Sequence, residues 1–141
     1  MAANTSPIFS SQGSVQWAPA ALAAAHTAMD GTGTVATVAT GNNTGNAAGN
    51  FIAKIIARPL GTNVQTVLRL FINNGSANTT AANNALIAEM TLPATTASNI
   101  AAQPAYELPV NLALPPGYKL NAALGTAVSA GYQLSAVGGQ Y

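Results

Sequence analysis

TNVQTVLRLFINNG, residues 62–75, sets the fold class of this 141-residue chain. Apolar and polar side chains alternate along the stretch, and it ends at Asn74-Gly75, a dipeptide that favours a turn. Because successive side chains of a strand point to opposite faces, this period of two predicts a β-strand. One predicted face carries Val64, Thr66, Leu68, Leu70 and Ile72, and the other carries Gln65, Val67, Arg69, Phe71 and Asn73.

The same alternation recurs on both sides of this stretch. Further strands are predicted at 14–17, 34–40, 51–57, 85–92, 106–114, 118–124 and 132–137. Pro109 lies inside one of them, and since proline cannot donate a ladder hydrogen bond, that strand is predicted at a sheet edge or a bulge. No amphipathic helix long enough for a crossover separates the strands. The sequence therefore predicts an all-β fold, an antiparallel two-sheet β-sandwich of about seven or eight strands with jelly-roll-like connections.

The domain organisation follows from where the alternation begins. Residues 1–30 are predicted to form an N-terminal arm and a first irregular segment, and residues 31–141 a single β-sandwich domain. The stretch at 19–29, PAALAAAHTAM, is the one helical candidate because alanine favours helices. It has no clear apolar stripe, so we expect it to be extended or irregular. The polar arm at 1–12 is expected to become ordered on binding a neighbour.

The composition excludes several classes of partner. Only 5% of the residues are charged and the net charge is +1, against about 25% charged residues in ordinary globular domains. The four Lys and Arg residues are scattered, whereas nucleic-acid binding needs clustered cations. No uninterrupted apolar stretch reaches the ~20 residues of a membrane helix, and no signal peptide is apparent. We expect no nucleic-acid or membrane partner, and self-association that meets little electrostatic repulsion.

Few residues could carry chemistry. His26 and Asp30 could form a general-base dyad, but no nucleophile accompanies them. Glu89 and Glu107 could act as paired carboxylates; the competing interpretation is that they face solvent or pair with arginine. The segment 30–34, DGTGT, offers one carboxylate, whereas a calcium loop needs several. The chain also has no cysteine, which excludes thiolate metal sites and a thiol nucleophile. From these observations together we expect no metal, no cofactor, no catalytic residue and no enzymatic activity.

The aromatic residues have two possible roles. Trp17 and several tyrosines could form a sugar-stacking platform; alternatively, Tyr106, Tyr118 and Tyr132 are strand residues at the rim of the core with their hydroxyls in water. Trp17 and Tyr141 lie near the two ends of the sequence. They are the candidates for assembly contacts between copies.

Four stretches together resemble a family of small virion structural proteins of tailed bacteriophages and prophages. The matching stretches are DGTGTVATV at 30–38, RPLGTNVQTVLRLFINNG at 58–75, NNALIAEMTLPATT at 83–96 and LPPGYKLNAALGTAVSAGYQLSAVGGQY at 114–141. The resemblance covers 29–141 and implies a capsid decoration (cement) protein of sandwich fold that often acts as a trimer. It implies no catalytic residue. The chain has Gln140 where many relatives would have Asp, so a role for a terminal carboxylate pair is not carried over.

The expected function is that of a non-enzymatic head decoration protein. It would be made in the cytoplasm of a bacterial host, work in the virion, and bind the major capsid protein or other virion proteins as a homo-oligomer, a trimer being favoured. Two alternatives remain at this point. One is a tail or head-fibre component, and the other is a carbohydrate-binding module that attaches the particle to the host surface.

Overall fold

The structure is a computed structural model that describes residues 10–41 and 48–141. The described residues contain no α-helix, one turn of 3-10 helix at Ala81–Asn83, and eight β-strands. The strands are β1 Gln12–Trp17, β2 Ala36–Thr40, β3 Asn50–Pro59, β4 Thr66–Asn73, β5 Asn84–Leu92, β6 Tyr106–Leu114, β7 Lys119–Leu124 and β8 Tyr132–Gln140. The predicted all-β class and strand number are confirmed.

The strands form two antiparallel sheets of four strands each. Sheet A has the order β1-β8-β3-β6 and sheet B the order β2-β7-β4-β5. The first strand thus pairs with the last, β2 with β7, β3 with β6 and β4 with β5. This nested pairing is the connectivity of a jelly roll, in which one long hairpin is rolled into two sheets. The predicted jelly-roll-like sandwich is confirmed.

The alternation in β4 places its two faces as predicted. Leu68 and Leu70 are fully buried in the core between the sheets, and Ile72 packs against that core. Arg69, Phe71 and Asn73 lie on the opposite, outer face of sheet B. The core is built mainly from inward-facing aliphatic side chains, among them Ile52, Ile55, Leu92, Leu114, Leu120, Leu124 and Leu134.

Two irregularities modify the simple pattern. The β4–β5 register shifts between Leu70 and Phe71, so that Ile87 is an extra residue in β5. Because of this shift, Leu86 pairs with Phe71 and is 36% exposed, whereas Leu92 of the same strand is fully buried. Pro109 lies in β6, which is an edge strand and also carries a register shift opposite Ile52 and Lys54. Both features predicted from that proline are present.

Tyr132 differs from the sequence prediction. It is fully buried in the core, rather than at a rim with its hydroxyl in water. The hydroxyl lies 3.5 Å from the Pro93 carbonyl oxygen, and the ring packs at 6.5 Å from the ring of Tyr106. Burial raises the pKa of the Tyr132 phenol, because the phenolate would lose its hydration. Tyr106 and Tyr118 are half-buried.

The segment 18–35 connects the two sheets without forming a helix. Its backbone first donates to β8, from Ala18 N to Leu134 O at 3.1 Å and from Leu22 N to Tyr132 O at 2.9 Å. It then reaches sheet B, where His26 N donates to Leu124 O at 2.7 Å. The segment therefore crosses one end of the sandwich, and its predicted irregular conformation is the one observed.

Residues 1–30 contain more than an arm. β1 lies within this range and forms the edge of sheet A, so the sheet includes residues on both sides of position 30. Of the polar arm predicted at 1–12, residues 1–9 lie outside the described part of the chain. Ser11 N donates to Gln140 O, which extends the β1–β8 pairing by one hydrogen bond.

Candidate assembly surface

Trp17 lies on the outer face of sheet A. It is the last residue of β1 and is 62% exposed, while Ser14 of the same strand is buried. Val15, two residues earlier, shares the outer face and is 57% exposed. The strand alternation explains both positions, since residues two apart point the same way. The candidate Trp17 is therefore available to a partner.

The strands next to β1 continue this apolar face. Val137 of β8 pairs with Val15, and Ser135 of β8 pairs with both Trp17 and Ile56 of β3. Ile56 and Val137 are half-buried and point away from the core, because their neighbours Ile55 and Ala136 are buried in it. We call the set Val15, Trp17, Ile56 and Val137 the outer apolar face.

An ion pair forms part of the polar boundary of the outer apolar face, and exposed Arg58 lies on the same side of β3. Lys54 Nζ lies 2.9 Å from Glu107 Oε1, and the two residues stand on β3 and β6 of sheet A. Both side chains are more than a third exposed, so the pair contributes only about 0–1 kcal/mol to stability. Because the two charges cancel, the pair adds no net charge to the outer face of sheet A. An apolar centre with a polar border is typical of protein–protein interfaces.

The two sheets differ in how their outer faces are covered. On sheet B, a Cβ atom placed on Gly31 would be 3.0 Å from the Phe71 ring, and Phe71 is fully buried. The His26 carbonyl oxygen also accepts a hydrogen bond from Arg69 at 3.4 Å. The segment 18–35 thus covers part of sheet B. The outer apolar face of sheet A keeps Val15 and Trp17 more than half exposed.

Tyr141 does not join Trp17 in one site. The β1–β8 register pairs Gln12 with Gln140 and Trp17 with Ser135, so the two aromatic residues lie at opposite ends of the strand pair, about 20 Å apart. Tyr141 is half-buried, and its backbone N donates to Gly49 O at 3.2 Å. The two candidate assembly residues would therefore meet different parts of a partner.

The possible His26–Asp30 dyad has no hydrogen bond between its members in the described residues. The Asp30 carboxylate accepts instead from Thr32 Oγ1 at 2.7 Å and from Thr32 N at 3.0 Å. These bonds, that of the side chain first, hold the pKa of Asp30 below its ordinary value of 3.8. His26 lines an apolar recess of about 440 Å³ formed largely by alanine residues at 20–24.

The acidic pair is divided between the two sheets. Glu89 is on β5 of sheet B and binds Arg69 at 2.9 Å, whereas Glu107 is on β6 of sheet A and binds Lys54. Pairing with arginine is confirmed for Glu89; for Glu107 the partner is Lys54, not arginine. Each carboxylate is thus held by a cation of its own sheet.

Within residues 10–41 and 48–141 no three His, Asp or Glu side chains come together as a metal site. No helix there has the length and apolar character needed to cross a membrane.

The sequence predicts only part of the outer apolar face. It indicates Trp17 as a contact residue, but not Val15, Ile56 or Val137. The available signal was FIAKIIA at 51–57, which carries large apolar residues on both faces of its strand. A strand that is apolar on both faces needs cover on each side.

The chain was compared with protein-family models, with curated proteins and with solved structures, and none of the three comparisons gave a match.

Proposed function

We propose that this protein is a non-enzymatic structural component of a tailed-bacteriophage virion, a head decoration protein that binds the outer capsid surface and stabilises the particle. The observation that carries the proposal is the outer apolar face with Trp17 exposed on it. An exposed tryptophan is a favourable anchor for a protein interface, because its large ring buries much apolar area and has few rotatable bonds to order on binding. The fold adds support by analogy only, since jelly rolls occur in viral capsid proteins and also in lectins and cupins.

The proposed oligomer forms between copies of this chain. Only 5% of the residues are charged and the net charge is +1, so two copies approach with little repulsion. The Lys54–Glu107 pair neutralises itself beside the outer apolar face. We assign this face to contacts between copies in a trimer, the state that the sequence resemblance implies. The major capsid protein or another virion protein would contact the remaining surface, and multivalent attachment would strengthen weak individual contacts.

Reconstitution of the particle tests the decoration role. Purified protein is added to virions that lack it, and the bound protein and the temperature of genome release are measured. The proposal expects saturable binding and a higher release temperature. No binding, with no change in heat resistance, would reject it.

A tail or head-fibre position is the first competing role. The position of the protein on imaged particles distinguishes this role from binding to the capsid surface.

The second competing role is saccharide binding at Trp17. It depends on the same exposed ring, since sugars stack on exposed aromatic faces. A glycan array with the wild-type chain and Trp17→Ala decides this case. Binding that depends on Trp17 would favour the carbohydrate-binding role, whereas an array without signals would weigh against it.

A further inference from the structure

A polar cavity of about 290 Å³ lies on the outer face of sheet B. Its floor is formed by side chains of three adjacent strands, with Thr37 on β2, Lys119 and Asn121 on β7, and Asn73 on β4. The register places Thr37 beside Asn121 and Lys119 beside Asn73. The cavity is on the sheet opposite the outer apolar face, so nothing about it depends on the proposed assembly role.

Two loops form the walls of this cavity. Residues 33–35 lie on one side and residues 76–78 on the other. Asn78 Nδ2 donates to the Gly33 carbonyl oxygen at 2.6 Å, which ties the loops together. Gly75 has a φ of 92°, which favours glycine, and it begins the turn that carries residues 76–78. The walls are therefore set by the fold before any ligand binds.

Asn121 is buried at the floor of the cavity with its donor group unused. It is 3% exposed, and its Oδ1 accepts a hydrogen bond from Thr37 Oγ1 at 2.8 Å. Its amide nitrogen has no hydrogen-bond partner among the residues that the structure describes. That nitrogen is open to the cavity, so it can donate a hydrogen bond to water or to a polar ligand there.

Lys119 supplies a charge that the protein does not neutralise. Of the side-chain carboxylates, Glu89 and Glu107 bind other cations, and Asp30 is held by Thr32. Within the described residues Lys119 has no ion-pair partner. It stands half-buried at the start of β7, where partial removal from water strengthens its attraction for an anion.

We propose that this cavity binds one acidic saccharide unit, with the sugar carboxylate on Lys119 and the hydroxyl groups on the surrounding side chains. Hydroxyl and amide groups both donate and accept, as Thr37, Ser76, Asn78 and Asn121 can, and this suits sugar hydroxyls. A phosphate group accepts only, and is better matched by several cations or backbone N–H groups. The ammonium group of Lys119 can form an ion pair with the one carboxylate of such a sugar. The volume is slightly below the range of about 300–1,000 Å³ usual for ligand pockets, which limits the bound part to a single sugar ring.

Titration of the full chain followed by NMR tests this inference. The probes are short oligomers of galacturonate, glucuronate and mannuronate, the matching neutral sugars, and inorganic phosphate. We expect at least one uronate to shift the backbone amide signals of Thr37, Lys119 and Asn121 and the side-chain amide of Asn121. The matching neutral sugar should bind at least about 10-fold more weakly, because it cannot form the charge-assisted bond with Lys119. Phosphate at the same concentration should not displace it.

Matched variants separate this site from general electrostatic attraction. Lys119→Gln should weaken uronate binding about 10-fold or more, whereas Lys54→Gln, which removes the same charge from sheet A, should not. Ala77→Leu places apolar volume at the cavity wall and should also reduce binding while the thermal unfolding midpoint stays near that of the wild type. The inference is overturned if no uronate shifts these signals at millimolar concentration. Equal displacement by phosphate, or an equal effect of Lys54→Gln, would overturn it too.

Discussion

Val15 stands directly opposite Val137 in the β1–β8 pair, and both side chains point away from the core. On sheet B the corresponding outward side chain, Phe71, is fully buried beneath the segment that passes through Gly31. The outer face of sheet B is thus partly covered by the chain itself, although Leu86 is 36% exposed there, whereas that of sheet A exposes Val15 and Trp17 at 57% and 62%. This asymmetry is the basis of the proposed assembly through sheet A.

Replacement of Trp17 by alanine should weaken self-association without unfolding the protein. A central tryptophan anchor is worth about 2 kcal/mol or more at an interface, which corresponds to about a 30-fold change in the dissociation constant. Sedimentation velocity over a range of concentrations measures this change. Ile100, which is 99% exposed and lies in the loop after β5, provides the control variant Ile100→Ala. If both variants associate like the wild type, Trp17 is not an assembly contact.

A methyl group at Gly138 should destabilise the sandwich. A Cβ atom there would collide with the Phe51 carbonyl oxygen of the neighbouring strand β3, and overpacking of this kind costs about 1–3 kcal/mol. Gly13, on β1, has no atom within 4 Å of the same added group. Chemical denaturation should therefore show a loss for Gly138→Ala and a change within about 1 kcal/mol for Gly13→Ala. Equal stability of the two variants would contradict the described packing of β8 against β3.

Asn63 should be one of the most sensitive polar positions. It is 2% exposed, and its Oδ1 accepts from Ala130 N and Gly131 N at 2.9 Å each. Asn63→Ala leaves these buried donors without a partner, which costs about 1–3 kcal/mol for an unsatisfied group. Asn99→Ala, on an exposed residue, should stay within about 0.5 kcal/mol of the wild type. A comparable loss in both variants, read from thermal unfolding, would refute this role.

Tyr132 should limit stability at alkaline pH. Its pKa is raised above 10 by burial, so the folded state holds the proton more tightly than the unfolded state does. The resulting stability is fully present below pH 10 and is lost as the pH rises through the pKa of the folded state. Tyr132→Phe should therefore unfold at a higher pH than the wild type in a circular dichroism titration, with Tyr118→Phe as the control. An unchanged alkaline midpoint would show that another group governs the transition.

The Asp30 carboxyl reports on the turn that carries the segment 18–35 over sheet B. Thr32→Val removes the hydroxyl that makes the largest contribution to the lowered pKa and leaves the backbone bond in place. The pKa of Asp30 should then move back toward 3.8. An NMR titration of the side-chain carbon below pH 6 measures the change. A titration curve identical to that of the wild type would mean that Thr32 does not hold this carboxylate in solution.

Local patterns in the sequence predicted the strands better than they predicted what covers them. The period of two in β4 assigned Leu68 and Phe71 to their faces, and Pro109 indicated an edge strand. The burial of Phe71 depends on Gly31, 40 residues earlier in the chain, and no local pattern encodes such a contact. The bulge at Ile87 likewise shifted Leu86 to the outer face through its pairing with β4.

The burial of several asparagine side chains could not be predicted from the sequence. The sequence contains 14 asparagines, a residue type that is mostly exposed in proteins, yet Asn50, Asn63, Asn73 and Asn121 are all at least 97% buried. An asparagine is costly to bury unless its amide is satisfied, and partners can come from distant segments, as Ala130 and Gly131 do for Asn63. The polar cavity could not be predicted because its walls are brought together only by the jelly-roll connections.

The decoration role is best tested by electron cryo-microscopy of the phage particles that are proposed to carry this chain. We expect copies of the 14.0 kDa sandwich on the outer capsid surface, grouped as trimers, with Trp17 and Val15 of sheet A buried between neighbouring copies. Copies confined to the tail or to fibres, or copies on the capsid with Trp17 exposed to solvent, would contradict it.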